Sequence, residues 1–493
     1  MTALGVLLLL TWHQLLSASP ADPDLFARLA VGRLVETLGF MPSTEPFAFS
    51  PTKSVWIDHE WLSGVVFWWI LSHFGEWGLV AFKVLSASLT VILLFRASRI
   101  LAPATPSPIL FWALCLLQAL FGWGSTIRCQ TFTYLFISFL FFALLQLRER
   151  GVVRYVLLLP IISIAWVNLH GGYALGLVII WVWTFASLLT GRNRILLTVV
   201  ALASCAAPCF TPYGFKAYSA YLLAALGMSR PAISEWGPLW TQPAPFLGLL
   251  VTAIPIIWGM TRSWKSTRDL AALSLLALST YLGVRHIRLE VLTMITFFVF
   301  GAPYIHLLSQ HLRAQAPHFF ERLARSVAAA GTALVIALTV RTVGFITTSS
   351  SLSLDLADYP VNATRWMRSH NLQGRLLVDF NNGSFALWRL YPRFQVSMDG
   401  RYEETYLPET DQLNAEAFTF GSPEGRRALE ILQPTHILVR DTATDSSSRA
   451  EALGDPWRVL YSDTTFTVLG RSDISAAEER AAHETDDIWQ PLF

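Results

Sequence analysis

The chain has 493 residues, of which 53% are hydrophobic and only 14% charged, and its mean hydropathy is +0.46. A soluble domain is roughly a quarter charged, so both an ordinary water-soluble protein and a disordered one are excluded. A net charge of +2 leaves no basic surplus for nucleic acid, and four cysteines rule out a disulfide scaffold.

Apolar runs of about 17–25 residues can cross a bilayer as helices. They occur at 2–18, 77–95, 107–123, 131–147, 152–168, 173–190, 195–210, 243–261, 269–284, 289–309 and 326–345. The pattern predicts an α-helical polytopic membrane protein with about eleven spans over 1–345. The first run could instead be a cleaved leader. However, Met1-Thr2-Ala3 carries no Lys or Arg, and cleavage after Ser19 would leave Pro20 first. Residues 19–76 form the first extracytoplasmic loop. Within it, the short run 61–74 carries Trp68, Trp69 and His73 and reads as a juxtamembrane helix. With that run non-spanning and the N-terminus cytoplasmic, the clusters Arg96/Arg99, Arg148/Arg150/Arg154, Arg192/Arg194, Arg262/Lys265/Arg268 and Arg313/Arg322/Arg325 all fall inside.

The composition changes after the last run. Residues 346–475 read as a small extracytoplasmic α/β domain, with strands at 375–380, 395–398, 436–439, 457–462 and 465–470. Helices are predicted between them at 360–370, 382–390 and 423–432. Residues 476–493, rich in Glu and Asp, read as an acidic tail.

The chemistry is sought among residues that break the membrane rules. On this topology the outer loops carry Asp22, Asp24, His59 and Glu60, then Arg128, Gln130, His170, Glu235, Arg285, His286 and Arg288, with Lys83 in the outer part of a span. Asp24 or Asp22 is a candidate general base; either could instead cap the helix that begins near Leu25. Glu60 and His59 form a second candidate acid–base pair between Trp56 and Trp61, which suit sugar or headgroup contact. The cations suit phosphate, because a guanidinium pairs bidentately with its oxygens. Snorkelling or ion pairing is the plainer reading for each one alone. A divalent metal shared by His59, His170, His286 and Asp24 has no compact ligand motif behind it. Asp399-Gly400-Arg401 is expected to be a turn closed by an ion pair, or else a lid residue.

Several of these segments resemble a known class. Asp22-Pro23-Asp24-Leu25, Ala30-Val31-Gly32-Arg33, Trp56 with His59-Glu60-Trp61-Leu62, Asn168-Leu169-His170-Gly171-Gly172 and Asp399-Gly400-Arg401 carry the likeness. The chain resembles the GT-C superfamily of membrane glycosyltransferases, on its protein-mannosyltransferase, aminoarabinose-transferase and Rgt-type branches. More closely, it resembles a largely uncharacterised bacterial family whose members are labelled either as hypothetical membrane proteins or as glycosyltransferases. The resemblance implies a GT-C-like fold and an inverting transfer of sugar from a polyprenyl-phosphate donor to a glycan, lipid or protein acceptor outside the plasma membrane. It gives the acidic position to Asp24 or Asp22 and the lipid-phosphate position to Lys83. The Asp-Glu pair of the mannosyltransferases is Asp-Pro-Asp here, which leaves the base open between the two. The rival readings are a transporter or flippase, or a non-catalytic partner in envelope polysaccharide assembly.

Overall fold

The computed structural model describes residues 3–16, 21–102, 109–124, 126–227, 234–263, 269–318, 336–344, 356–440 and 443–473, with 322, 333 and 347 besides. The predicted acidic tail, 476–493, lies outside the described residues. The chain divides into two compact units: residues 1–20 with 80–354, and residues 21–79 with 355–493.

The first unit is a bundle of apolar helices. Among the described residues, five helices are long and apolar enough to cross a membrane: Trp61–Leu101, which begins in the second unit, Gln130–Arg150, Tyr173–Thr190, Pro243–Arg262 and Ile287–Gln315. Their outward faces carry Leu85, Leu189, Leu247 and Ile257, all more than half exposed, a surface that only lipid would solvate without penalty. The chain is a membrane protein. Inside the bundle, Trp112 stacks on Phe298 with ring centroids 5.8 Å apart, and its indole N–H donates to Ser98 Oγ at 2.9 Å. At Gly259 an added Cβ would lie 2.6 Å from the Tyr304 carbonyl oxygen. The small residue lets the Pro243–Ser263 helix lie directly on Ala302–Gln315.

Five of the eleven predicted runs, 77–95, 131–147, 173–190, 243–261 and 289–309, fall in helices of spanning length among the described residues, and the remaining spans are not confirmed. Ala3–Leu16, Ile109–Leu120, Leu159–Leu169, Arg194–Cys205 and Leu270–Arg285 are apolar helices shorter than a span. The run 326–345 lies mostly outside the described residues. Local chemistry explains two of the interruptions. The run 152–168 breaks at Leu158, where a new helix starts with Pro160 in its first turn, since proline has no N–H to continue the earlier ladder. The run 195–210 ends at Cys205 and passes into a 3-10 turn, Ala207–Phe210, with Pro208 near its start. Hydropathy averages over such breaks; hydrogen bonding does not.

The second unit is built on a five-stranded mixed sheet: β1 (Gly374–Val378), β2 (Phe394–Val396), β3 (His436–Arg440), β4 (Trp457–Ser462) and β5 (Phe466–Arg471). The strand order is β2-β1-β3-β5-β4. β1 is parallel to both β2 and β3, whereas β5 is antiparallel to β3 and β4. Parallel neighbours require crossovers. Phe380–Leu390 supplies one, capped by Asp379, whose carboxylate accepts from the Asn381 and Asn382 N–H groups. Pro408–Ala417 and Pro423–Leu432 lie in the connection from β2 to β3.

Residues 21–79, which include most of the predicted outer loop 19–76 and the first residues of the run 77–95, belong to this same unit. The Phe49 and Lys53 N–H groups donate to the carbonyls of Val396 and Thr405 at 3.1 and 2.9 Å. The Pro23–Leu38 helix packs along Phe380–Leu390, with Phe26 edge-on to Phe385 at 4.9 Å. The Trp61–Leu101 helix is interrupted at Gly75, where φ is 65°. An L side chain is strained there, so the glycine separates the aromatic segment before it from the apolar segment after it.

Candidate functional site

The site in the second unit starts from the Pro23–Leu38 helix. Asp22 caps it: its carboxylate accepts the Asp24 N–H at 3.0 Å. Asp24 lies in the first turn and is partly exposed. A Cβ on Gly400 would fall 2.9 Å from Asp24 Oδ1 and 3.1 Å from Ser384 Oγ, so the missing side chain is what admits both groups. The Gly400 N–H donates to Ser384 Oγ at 3.0 Å.

One helical turn beyond Asp24 stands Arg28, which is buried. Its guanidinium donates to Asp58 Oδ1 and to Glu404 Oε2, the latter at 2.9 Å, and its Nε is 3.4 Å from Glu60 Oε2. His59 stands between two of the same acids, Nδ1 at 2.8 Å from Glu404 Oε1 and Nε2 at 3.5 Å from Glu60 Oε1. Burial alone would neutralise His59, but Glu404 and Glu60 outweigh it and push it up to about 9, so it is an imidazolium at neutral pH. Burial would also raise Glu404, but Arg28 and His59 hold it below the usual carboxylate range. Burial drives Asp58 up to about 6 in spite of Arg28.

A second network lies on the Asp399-Gly400-Arg401 turn. Asp399 takes two hydrogen bonds from the Arg401 guanidinium, at 2.8 and 2.6 Å, and a third from the Tyr406 hydroxyl at 2.7 Å. Glu45 pairs with the same guanidinium at 2.7 Å. The turn is therefore closed by an ion pair, the plainer of the two expectations.

His59, Glu60 and Glu404 each offer a ligand atom, all within 4.8 Å of one another. One nitrogen and two carboxylate oxygens suit a divalent cation. In the arrangement seen, the two carboxylates address opposite ring nitrogens and Arg28 reaches both. A metal would have to displace the His59 proton and draw both acids to one side of the ring. Bound there, it would supply charge for phosphate oxygens.

No family model matches the chain, and no curated protein does. The functional reading therefore rests on residues.

In the bundle unit, Glu235 pairs with Arg128 at 2.8 Å and lies 3.9 Å from Arg288. Burial would raise the Glu235 carboxyl, but the two arginines hold it low. His286 Nδ1 donates to the Trp236 carbonyl at 2.8 Å, and its ring packs on that indole at 5.4 Å. Three segments far apart in sequence, at 128, 235–236 and 286–288, are thus gathered. Arg285, at the end of Leu270–Arg285, is exposed. Gln130 is buried where Gln130–Arg150 begins, and Lys83 is 2% exposed within the bundle. At His170, Nδ1 accepts the Gly172 N–H at 2.9 Å and lies 2.7 Å from Thr133 Oγ1, which also accepts from Trp166. That ring nitrogen is engaged in closing the turn between two helices. The sequence reading passed over Arg28, Asp58, Ser384 and Glu404. Arg28 had one local signal, a cation four residues after Asp24 on the same helix. Glu404 had none.

Proposed function

We propose that the chain is an inverting membrane glycosyltransferase of the GT-C type. It would act outside the plasma membrane on a polyprenyl-phosphate-linked sugar, with a glycan, lipid or protein as acceptor. The observation that carries this reading is Asp24: a partly exposed carboxylate at a helix start, one turn from a buried arginine and its acids. In the transfer, the acceptor hydroxyl gives its proton to Asp24 while its oxygen bonds the anomeric carbon. The bond to phosphate breaks and the electron pair leaves with the phosphate. The leaving group is already a stable anion, so cations rather than a strong acid are needed. His59 and Glu60, in the same unit as Asp24, are the candidates for orienting the acceptor. The gathering of charge around Asp24, rather than along a path through the bundle helices, favours catalysis over alternating access.

The test is restoration of a deletion strain with the Asp24→Asn or Asp22→Asn form, followed by analysis of its envelope glycans. Asp24→Asn should lower transfer by roughly 10²–10⁴-fold at a normal protein level, the range a general base contributes. Unchanged glycan with Asp24→Asn would end the assignment of the base, and an unaltered glycan profile in the deletion strain itself would end the proposal.

A further inference from the structure

The loop-and-tail unit holds a second collection of cations that the transfer reading does not use. Arg33 lies on the Pro23–Leu38 helix, Arg368 in the last turn of Val361–Ser369, and Arg389 in the last turn of Phe380–Leu390; Arg393 follows just before β2. Hydrogen bonds chain three of them together. Arg368 Nη1 donates to the Arg389 carbonyl at 2.9 Å, and Arg393 Nη1 donates to the Arg368 carbonyl at 3.0 Å. The fourth is tied in by rings. The Arg33 guanidinium lies 5.4 Å from the Trp68 centroid and 5.7 Å from that of Trp388, the residue before Arg389. Arg33 and Arg389 are 4% and 5% exposed; Arg368 and Arg393 are half-buried.

Helix C-termini favour cations, which explains Arg368 and Arg389 singly. It does not explain why these side chains are collected. Much of the charge acting on them is their own. Burial and then Arg368 push Arg33 down to about 10, with Glu36 opposing; burial, Arg368 and Arg365 do the same to Arg389. Arg368 is lowered in turn by burial and by Arg393. All remain charged at neutral pH, so the cluster is a fixed positive potential.

The surface beside it has a distinct character. Leu38 and Phe40 follow Arg33 at the end of its helix, and Trp69, Phe74 and Trp77 follow Trp68; all are exposed, between 42% and 61%. Trp69, Phe74 and Trp77 run ring to ring with centroids 5.6 and 6.1 Å apart. Exposed indoles and phenyl rings in sequence are what a chain presents at headgroup depth. Planar guanidiniums are what bind phosphate. We propose that Arg33, Arg368, Arg389 and Arg393 form a site for a phosphate-bearing anion, the headgroup of an anionic phospholipid, which anchors this unit to the bilayer surface. The site stands whether or not Asp24 is a catalytic base.

The experiment uses the full chain in nanodiscs of phosphatidylcholine, of equal parts phosphatidylcholine and phosphatidylglycerol, and of phosphatidylcholine with added sodium phosphate. The thermal midpoint is read in each. A rise with phosphatidylglycerol is expected, and Arg368→Gln with Arg393→Gln should lose most of it. Because the increment is compared within each variant, a general loss of stability does not mimic that result. Arg426→Gln with Arg427→Gln removes two exposed charges from another helix of the unit and should keep the rise. An equal loss in that control would overturn the site in favour of bulk electrostatics. No difference between wild type and the Arg368/Arg393 variant would overturn it outright, and an equal rise with free phosphate would overturn the lipid as its source.

Discussion

The loop-and-tail unit contains two arginine-centred networks of similar chemistry and different exposure. Arg401 is shared by Asp399 and Glu45, and none of these three side chains is more than 1% exposed. Phe47 and Trp56 cover the guanidinium, 4.9 and 5.4 Å from its central carbon. Arg28 is shared by Asp58, Glu404 and Glu60, but here Glu60 is 13% and the attached His59 16% exposed. Asp24, one turn away, is partly open as well. A closed network can hold chain segments together but cannot meet a substrate. The open one can do both, and that difference in access, not the residue types, separates scaffold from candidate site.

The sharpest way to break the comparison is to remove each arginine. Arg401→Met leaves two buried carboxylates without their cation and should cost about 3–5 kcal/mol in unfolding of the detergent-solubilised chain. Arg28→Met should cost less, about 1–3 kcal/mol, because Glu60 and His59 can recruit water. Equal losses would mean the two networks are the same kind of structure. The pH dependence separates them on opposite limbs. His59 is raised in the fold to about 9, so its contribution is complete below its ordinary value of 6.5 and is lost as pH climbs from there through 9. Burial raises Asp399 but Arg401 prevails and lowers it, so its contribution is present above 3.8 and is lost only as pH falls below that. A thermal midpoint that declines between pH 6.5 and 9 is expected in the parent and should flatten in His59→Gln, an effect on the order of 1–3 kcal/mol. A decline that persists unchanged in that variant would assign the alkaline limb to another group.

How much of this was legible in sequence depends on how local each signal is. All five strands were found, because alternation and turn residues act within a few positions. Of the eleven predicted spans, five are met by helices of spanning length among the described residues. Pro160 and Pro208 break hydrogen-bond ladders inside two of the other runs, where the apolar neighbours keep the mean hydropathy high. Asp24, His59 and Glu60 could be singled out as acids and a base beside a span. Their partners could not, because the contact from Arg28 to Glu404 joins positions 376 apart and nothing near Glu404 in sequence marks it. The membership of residues 21–79 in the tail's unit was hidden for the same reason: their pairing with Val396 and Thr405 is through backbone, which side-chain patterns do not record.

The smallest predicted perturbation asks the most of the geometry. Gly400 has ordinary backbone torsions, so alanine there brings no backbone strain; what it brings is one methyl group, 2.9 Å from Asp24 Oδ1 and 3.1 Å from Ser384 Oγ. Both atoms end short side chains that can move by a few tenths of an ångström. Unfolding stability should therefore change by less than about 1 kcal/mol, in line with a tolerated surface substitution. If Asp24 removes the acceptor proton, a shift of its carboxylate should still lower transfer by roughly tenfold, because general base catalysis depends on hydrogen-bond reach. Gly400→Ala with full stability and reduced transfer would place the chemistry at Asp24. Full stability with unchanged transfer would leave Asp24 as no more than a first-turn acid favoured by the helix dipole.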